Sequence, residues 1–167
     1  LWLHYGDLQV LSEHYDAMLR YINYVEKEYI DPSSGLFTQN RHEAKLGDWL
    51  GLQDGMNDKS LLFESYYIYC LDIMRNAARL LNKSADEARF ESTLEARKKF
   101  FIQTYLHPQT MRTIASSFEG KQKGTPIDIQ GSYVLPLAFG VTEGESRTKL
   151  FNNLVRTIER ANTTDTK

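Results

Sequence analysis

Apolar residues recur at spacings of three and four from about Asp7 to Ile30, as Leu8, Leu11, Tyr15, Met18, Ile22, Val25 and Tyr29. That pattern is one face of an amphipathic helix. Asp7 after Gly6 reads as its N-cap. Asp31-Pro32 stops it, because a residue before proline avoids the α region. A connection follows from about Asp31 to Lys59, carrying Gly35, Gly47, Gly51 and Gly55. It is several-fold longer than the common ~2–8 residues between linked helices. Phe37, Leu46, Trp49, Leu50 and Leu52 within it read as an ordered, folded-back loop rather than a disordered one.

A second helix is predicted from about Ser60 to Leu81, with Tyr67, Leu71, Met74, Ala78 and Leu81 on one stripe. Phe63, Tyr66 and Ile68 lie off that stripe, and a helix apolar on more than one side belongs between neighbours. After the short Asn82-Lys83 turn, Ser84 and Glu87 form an S-x-x-E capping box for a third helix. This helix reaches about Tyr105 through Phe90, Leu94, Phe101 and Tyr105, with Glu91, Glu95, Arg97, Lys98 and Lys99 read as its solvated face. A second long connection, Leu106 to about Ile127, holds Pro108, Gly120, Gly124 and Pro126. A fourth helix spans about Asp128 to Phe139; Pro136 should kink it or shorten its regular part, and Gly140 ends it. Thr142 and Glu145 read as another capping box. The fifth helix, Glu143 to about Arg160, places Arg147, Phe151, Leu154 and Ile158 on its inner side.

Short turns join helices two to three and four to five, while long loops join one to two and three to four. In an antiparallel array both long loops then lie at one end. The alternation of buried and amphipathic helices predicts stacked α-hairpins curving into a solenoid or a closed α/α toroid. A site belongs at the end that carries the long loops.

Composition narrows the chemistry. Apolar residues make up 41% and charged residues 25%, which excludes intrinsic disorder. With 20 Lys+Arg against 22 Asp+Glu the net charge is -2, so nothing drives binding to nucleic acid. Cys70 is the only cysteine, which excludes an internal disulfide or a multi-cysteine metal site. His4, His14, His42 and His107 show no metal-ligand spacing. No nucleotide-binding loop or hydrolase elbow is present, so no cofactor is expected. No apolar run is long enough for a membrane helix. The chain opens on Leu1-Trp2-Leu3 without a leader and closes on a polar tail after a helix, which reads as a segment of something longer.

Gly47-Asp48-Trp49 carries the most suggestive chemistry. A tryptophan ring stacks on the C–H face of a sugar while an adjacent carboxylate takes its hydroxyls. The same residues also read as a turn with Trp49 plugging the hairpin end. Further carboxylates at that end are Asp54, Asp58, Glu64, Glu119 and Asp128. Asp58 and Asp128 read as helix N-cap or first-turn acids. Glu64 in the first turn of a buried helix is harder to dismiss, since an unpaired buried carboxylate is costly. It takes either a substrate or a structural arginine.

The order of these segments resembles a known family. Tyr5-Gly6-Asp7 opens a helix, Leu46-Gly47-Asp48-Trp49-Leu50 lies in a long loop, and Tyr66-Tyr67 sits in the next helix. Leu80-Leu81-Asn82-Lys83 precedes the Asp86/Glu87 helix start, and Gln130 leads into Leu135-Pro136-Leu137-Ala138-Phe139-Gly140-Val141. The series resembles the catalytic domain of bacterial α-L-rhamnosidases of the inverting type, over nearly the whole chain. The resemblance implies an all-α fold, part of an (α/α)6 toroid of six hairpins, with residues 1–167 an incomplete segment of that catalytic domain. It implies hydrolysis of rhamnose-containing glycosides by two carboxylates, one protonating the leaving oxygen and one activating water. The family's acid and base motifs lie outside this chain, so the segment alone is expected to be inactive. Asp48 and Trp49 carry over as sugar-contacting candidates. Glu64, the third substrate-binding candidate, stands where relatives commonly have a small polar residue. The implied partners are the sugar substrate, the rest of the same toroid and accessory domains. The compartment is unassigned, with the periplasm or the outside of the cell favoured over the cytoplasm.

Helix counting agrees with a segment: five helices in 167 residues extrapolate to roughly 400 residues for twelve. Such a segment should expose apolar faces where its neighbours are missing and, alone, be marginally stable or self-associate. Two other readings of the sequence are a six-hairpin enzyme for a different sugar and a helical-hairpin interaction module without chemistry.

Overall fold

A computed structural model describes residues 2–38 and 58–164. Among the described residues it is all helical: α1 (Trp2–Tyr5), α2 (Gln9–Tyr29), α3 (Lys59–Leu80), α4 (Ser84–Tyr105), α5 (Gln130–Ala138) and α6 (Gly144–Thr164), with a single 3₁₀ turn at Phe118–Gly120. Among the described residues the connections pair through isolated antiparallel bridges. No helix of the described residues is long and apolar enough to cross a membrane.

The stripe of α2 buries Leu11, Tyr15, Ile22 and Val25. Asp7 contributes to its start by accepting the Gln9 N–H at 2.8 Å, although Leu8 occupies the cap position itself. α3 is the centre of the core. Leu61, Ile68, Leu71, Met74, Ala77 and Ala78 have almost no accessible surface, and the helix packs on α2, α4 and α5. Each large apolar side chain buried this fully contributes ~1.5–3 kcal/mol. Its fourth side leaves Tyr66 and Tyr69 exposed, with Tyr69 stacked on Phe139 at 4.6 Å. α4 returns antiparallel, burying Phe90, Leu94, Phe101 and Tyr105. Polar ties lock the three helices together: Tyr15 donates to Asp86 at 2.8 Å, Tyr67 to Glu26 at 2.6 Å, and Arg89 to Glu26 at 2.9 Å.

The turn between α3 and α4 explains why the expected capping box is absent. Asn82 adopts φ 56°, Asn82 N–H bonds the Arg79 carbonyl, and Lys83 N–H bonds the Ala78 carbonyl at 2.8 Å. This is a Schellman termination with asparagine at the left-handed position. It brings Lys83 directly to the start of α4, so Ser84 is already helical and the cap position falls to Lys83, whose side chain makes no cap bond. α5 begins at Gln130 rather than at Asp128, because Asp128 is left-handed, with φ 49°. It closes at Ala138, two residues past Pro136, which has no N–H to continue the ladder. Gly140, φ 63°, completes a second Schellman termination through Val141 N–H to the Pro136 carbonyl.

The second capping box is also absent. Thr142 Oγ1 is buried with no hydrogen-bond partner among the described residues. α6 is turned part of the way from its expected setting: Arg147 and Leu154 face inward as expected, but Leu150 and Asn153 are buried and Phe151 and Ile158 are exposed. The rotation is set by two polar anchors, Arg147 donating to the Leu137 carbonyl at 2.7 Å and Asn153 to the Thr110 carbonyl at 2.9 Å. Phe151 instead lines an open groove with Val134, Leu137 and Leu154 on the α5–α6 flank.

Both long connections start with the same turn. In the first, Asp31 N–H bonds the Leu36 carbonyl, Gly35 N–H bonds the Asp31 carbonyl, and Ile30 pairs with Phe37. In the second, His107 N–H bonds the Arg112 carbonyl, Met111 N–H bonds the His107 carbonyl, and Leu106 pairs with Thr113. A proline follows the first turn residue in each case, and the left-handed position is Gly35 (φ 71°) or Met111 (φ 55°). Asp31 accepts from the N–H groups of Ser33 and Ser34, where His107 Nδ1 accepts from those of Gln109 and Thr110. The Asp31 bonds to the two serines lower its carboxyl to about 2. The second connection then folds back through a bridge between Ile114 and Pro126. Residues 39–57 of the first, with the rest of the expected folded-back loop, lie outside the described residues.

Candidate functional site

The N-terminus of α3 brings the two long connections to one end of the helical stack. Asp58 caps α3 with Oδ1, accepting from Ser60 N–H at 2.9 Å and Leu61 N–H at 3.3 Å. Its Oδ2 accepts from the backbone N–H of Ser116 at 2.7 Å and from the Ser116 hydroxyl at 2.8 Å. Asp58 has no accessible surface, so these four donors take the place of water. One carboxylate therefore joins the end of the first connection to the middle of the second. Ser60 continues the network to the Tyr105 hydroxyl at 2.7 Å, and burial pushes that phenol above its ordinary range.

One turn further along α3, Glu64 is also fully buried. Arg97 of α4 grips both its oxygens, Nε at 2.8 Å from Oε1 and NH2 on Oε2, and the same NH2 donates to the Gly35 carbonyl at 3.0 Å. The guanidinium lies over Phe100, 4.4 Å from the ring centre, with Phe37 and Tyr67 at 5.9 Å. Burial raises the Glu64 carboxyl above its ordinary value, and Arg97 pulls it back only in part. Of the two partners that the sequence leaves open for Glu64, a sugar or an arginine, the described residues supply the arginine. Arg97 itself is a correction: it is not solvated but keeps only 14% of its side chain exposed. It falls on the stripe of Phe90, Leu94 and Phe101 by spacing, a signal masked by the charged residues beside it.

The second connection contributes a third cluster. Asp128 takes the Tyr133 hydroxyl on one oxygen and the Arg112 guanidinium on the other. Its N–H donates to Thr113 Oγ1 at 3.3 Å, and Thr113 Oγ1 shares a bond with Ser132 at 2.7 Å. Asp128 is thus not the first-turn acid of α5 but the hub of an ion-paired network beside it. Met111, Ser117 and Asp128 are all non-glycine residues at positive φ in this one connection. Backbone held this way persists only where its surroundings over-determine it.

Asp48 and Trp49, with Asp54 and His42, lie outside the described residues. Among the described residues no group of three His, Cys, Asp or Glu is placed to hold a metal ion. Asp58, Glu64 and Asp128 are each committed to protein donors. None is arranged as a general acid or base facing an open cleft.

The described residues form an all-helical stack whose connections meet over the N-terminus of a buried helix. The chain belongs to the family described as the bacterial alpha-L-rhamnosidase 6 hairpin glycosidase domain, whose model matches residues 1–166. It is 30% identical over 159 residues to an alpha-L-rhamnosidase of Streptomyces avermitilis, covering 95% of this chain and 13% of that protein. The structure is similar to that of Streptomyces avermitilis alpha-L-rhamnosidase complexed with L-rhamnose, at a TM-score of 0.73 and 24% identity over 95% of this chain and 13% of that one. It is also similar to native alpha-L-rhamnosidase from Aspergillus terreus, at a TM-score of 0.71 and 20% identity over 93% of this chain and 17% of that one. The fold is therefore that of part of a six-hairpin toroid. The chain spans between an eighth and a fifth of the length of each of these three.

Proposed function

We propose that this chain is one segment of an (α/α)6 catalytic domain that hydrolyses terminal α-L-rhamnosyl residues, and that it forms one wall of the sugar pocket. The observation that carries the reading is its similarity, along almost its whole length, to rhamnosidases built on the same hairpins. In this reading Trp49 stacks on the rhamnose ring and Asp48 takes ring hydroxyls. The general acid and general base come from chain outside residues 1–167. They work from opposite faces of the sugar across the ~6.5–9.5 Å that inversion requires, leaving room for the attacking water. Asp58 and the Glu64–Arg97 pair serve the wall from beneath, by holding the connections that meet there.

The test is turnover of an aryl α-L-rhamnoside by the full-length polypeptide, as wild type and as Trp49→Ala. The proposal expects hydrolysis by the wild type and a KM at least tenfold higher in the variant. The isolated 167-residue chain should release no aryl group. Turnover by that chain alone, or an unchanged KM in the variant, would overturn the assignment of roles.

A further inference from the structure

Two carboxylates without accessible surface act on the two ends of residues 39–57. Asp58 follows that stretch directly and is held by four donors. Glu64 acts at the other end, through Arg97 and the Gly35 carbonyl. We infer that Arg97 and Glu64 are positioning residues. They press the turn of residues 31–38 onto α4 and so fix the point from which the chain departs toward Asp48 and Trp49.

Stability alone does not account for this arrangement. A buried ion pair gives back in Coulomb energy little more than it loses in desolvation, and an apolar pair of similar volume commonly does better. What the pair supplies is direction. A planar guanidinium that grips a carboxylate with two nitrogens has one orientation, and here that orientation aims NH2 at the Gly35 carbonyl. Phe100, Phe37 and Tyr67 hold the guanidinium in that plane.

The turn does not need the arginine to close. Its backbone bonds and the Asp31 carboxylate already close it, and the second connection closes the same turn on other residues, with His107 and Met111 in the key positions. Closeness to α4 is the added feature. A Cβ at Gly35 would stand 3.0 Å from Phe100 Cε2, and φ +71° favours glycine there in any case. Past Gly35 the strand pairing of Phe37 and the Thr38 N–H on the Tyr29 carbonyl, at 2.7 Å, carry the fixed position to the last residue before the stretch.

The sugar-binding consequence rests on the function proposed above; the positional claim stands on geometry alone. The test is amide hydrogen exchange on the full-length polypeptide as wild type, Arg97→Lys and Glu64→Gln, together with KM and kcat for an aryl α-L-rhamnoside. The expected result in both variants is exchange within residues 39–57 accelerated at least tenfold beyond any uniform change across α3 and α4 that lost global stability brings, with the Gly35 and Thr38 amides following those of α3 and α4. KM should rise about tenfold with kcat within twofold. Exchange in residues 39–57 that is unchanged, or accelerated no more than that of α3 and α4, would overturn the inference and mark a merely structural pair. Glu64→Gln, nearly the same shape as glutamate, decides the matter if Arg97→Lys does not fold. Faster exchange in residues 39–57 with no rhamnoside turnover by the wild type would uphold the positioning role and reject the proposed function.

Discussion

Glu64 makes its burial measurable through pH. Arg97 faces it from α4, Tyr67 from its own helix, and Tyr105 from the end of α4; Tyr67 and Tyr105 are pushed above the ordinary phenol range, so neither competes for its proton. Its folded carboxyl lies above the ordinary 4.5, so the folded state binds the proton more tightly than the unfolded chain. The resulting stability is complete below that ordinary value and is lost as pH rises through the folded one. Glu64→Gln carries no such proton. The stability difference, wild type minus variant, should therefore fall as pH rises from about 4 toward neutrality, read from urea midpoints. A difference that stays constant over that range would contradict a raised carboxyl. Asp58 is the more costly residue to lose. Asp58→Ala leaves the amides of Ser60, Leu61 and Ser116 and the Ser116 hydroxyl without their acceptor in a buried site. It should cost about 3 kcal/mol or more, and a loss below about 1 kcal/mol would show that water replaces the carboxylate. The sequence exposes Asp58 as a cap and Glu64 as a buried acid in need of a partner. It hides the partner, because Arg97 stands among Glu95, Lys98 and Lys99 and only its register against Phe90, Leu94 and Phe101 marks it as inward.

At the level of elements, periodicity locates α2, α3 and α4 to within about two residues because long helices with several buried turns leave a redundant pattern. Helix starts are less legible. Two S/T-x-x-E patterns, at Ser84 and Thr142, satisfy the sequence rule for a capping box, yet neither forms. The preceding Schellman terminations at Asn82 and Gly140 set where the chain re-enters the helix, and that overrides the local preference. Thr142→Val tests this point. Its hydroxyl is buried without a described partner, so the substitution should leave stability within about 0.5 kcal/mol or raise it. A capping threonine would instead lose about 1 kcal/mol, measured by thermal or urea unfolding. The rotation of α6 was likewise not readable, since Phe151 and Leu150 are adjacent apolar residues and only the anchors at Leu137 and Thr110 choose between them.

For the whole molecule, the array of long connections at one end and short turns at the other follows from helix spacing alone, and it is the feature that directs attention to Asp58 and its surroundings. Tyr66, Tyr69, Val134 and Phe151 remain exposed on the flanks of α3, α5 and α6. An apolar flank of this kind fits packing against further hairpins of a toroid. The family and the part-toroid fold are established by similarity, and the catalytic role is the claim that needs chemistry. The most direct measurement is time-resolved NMR of the sugar first released when the full-length polypeptide acts on an aryl α-L-rhamnoside. The account predicts that rhamnose is released and that its β anomer appears first, before mutarotation. Release of the α anomer first, or no release of rhamnose, would contradict it.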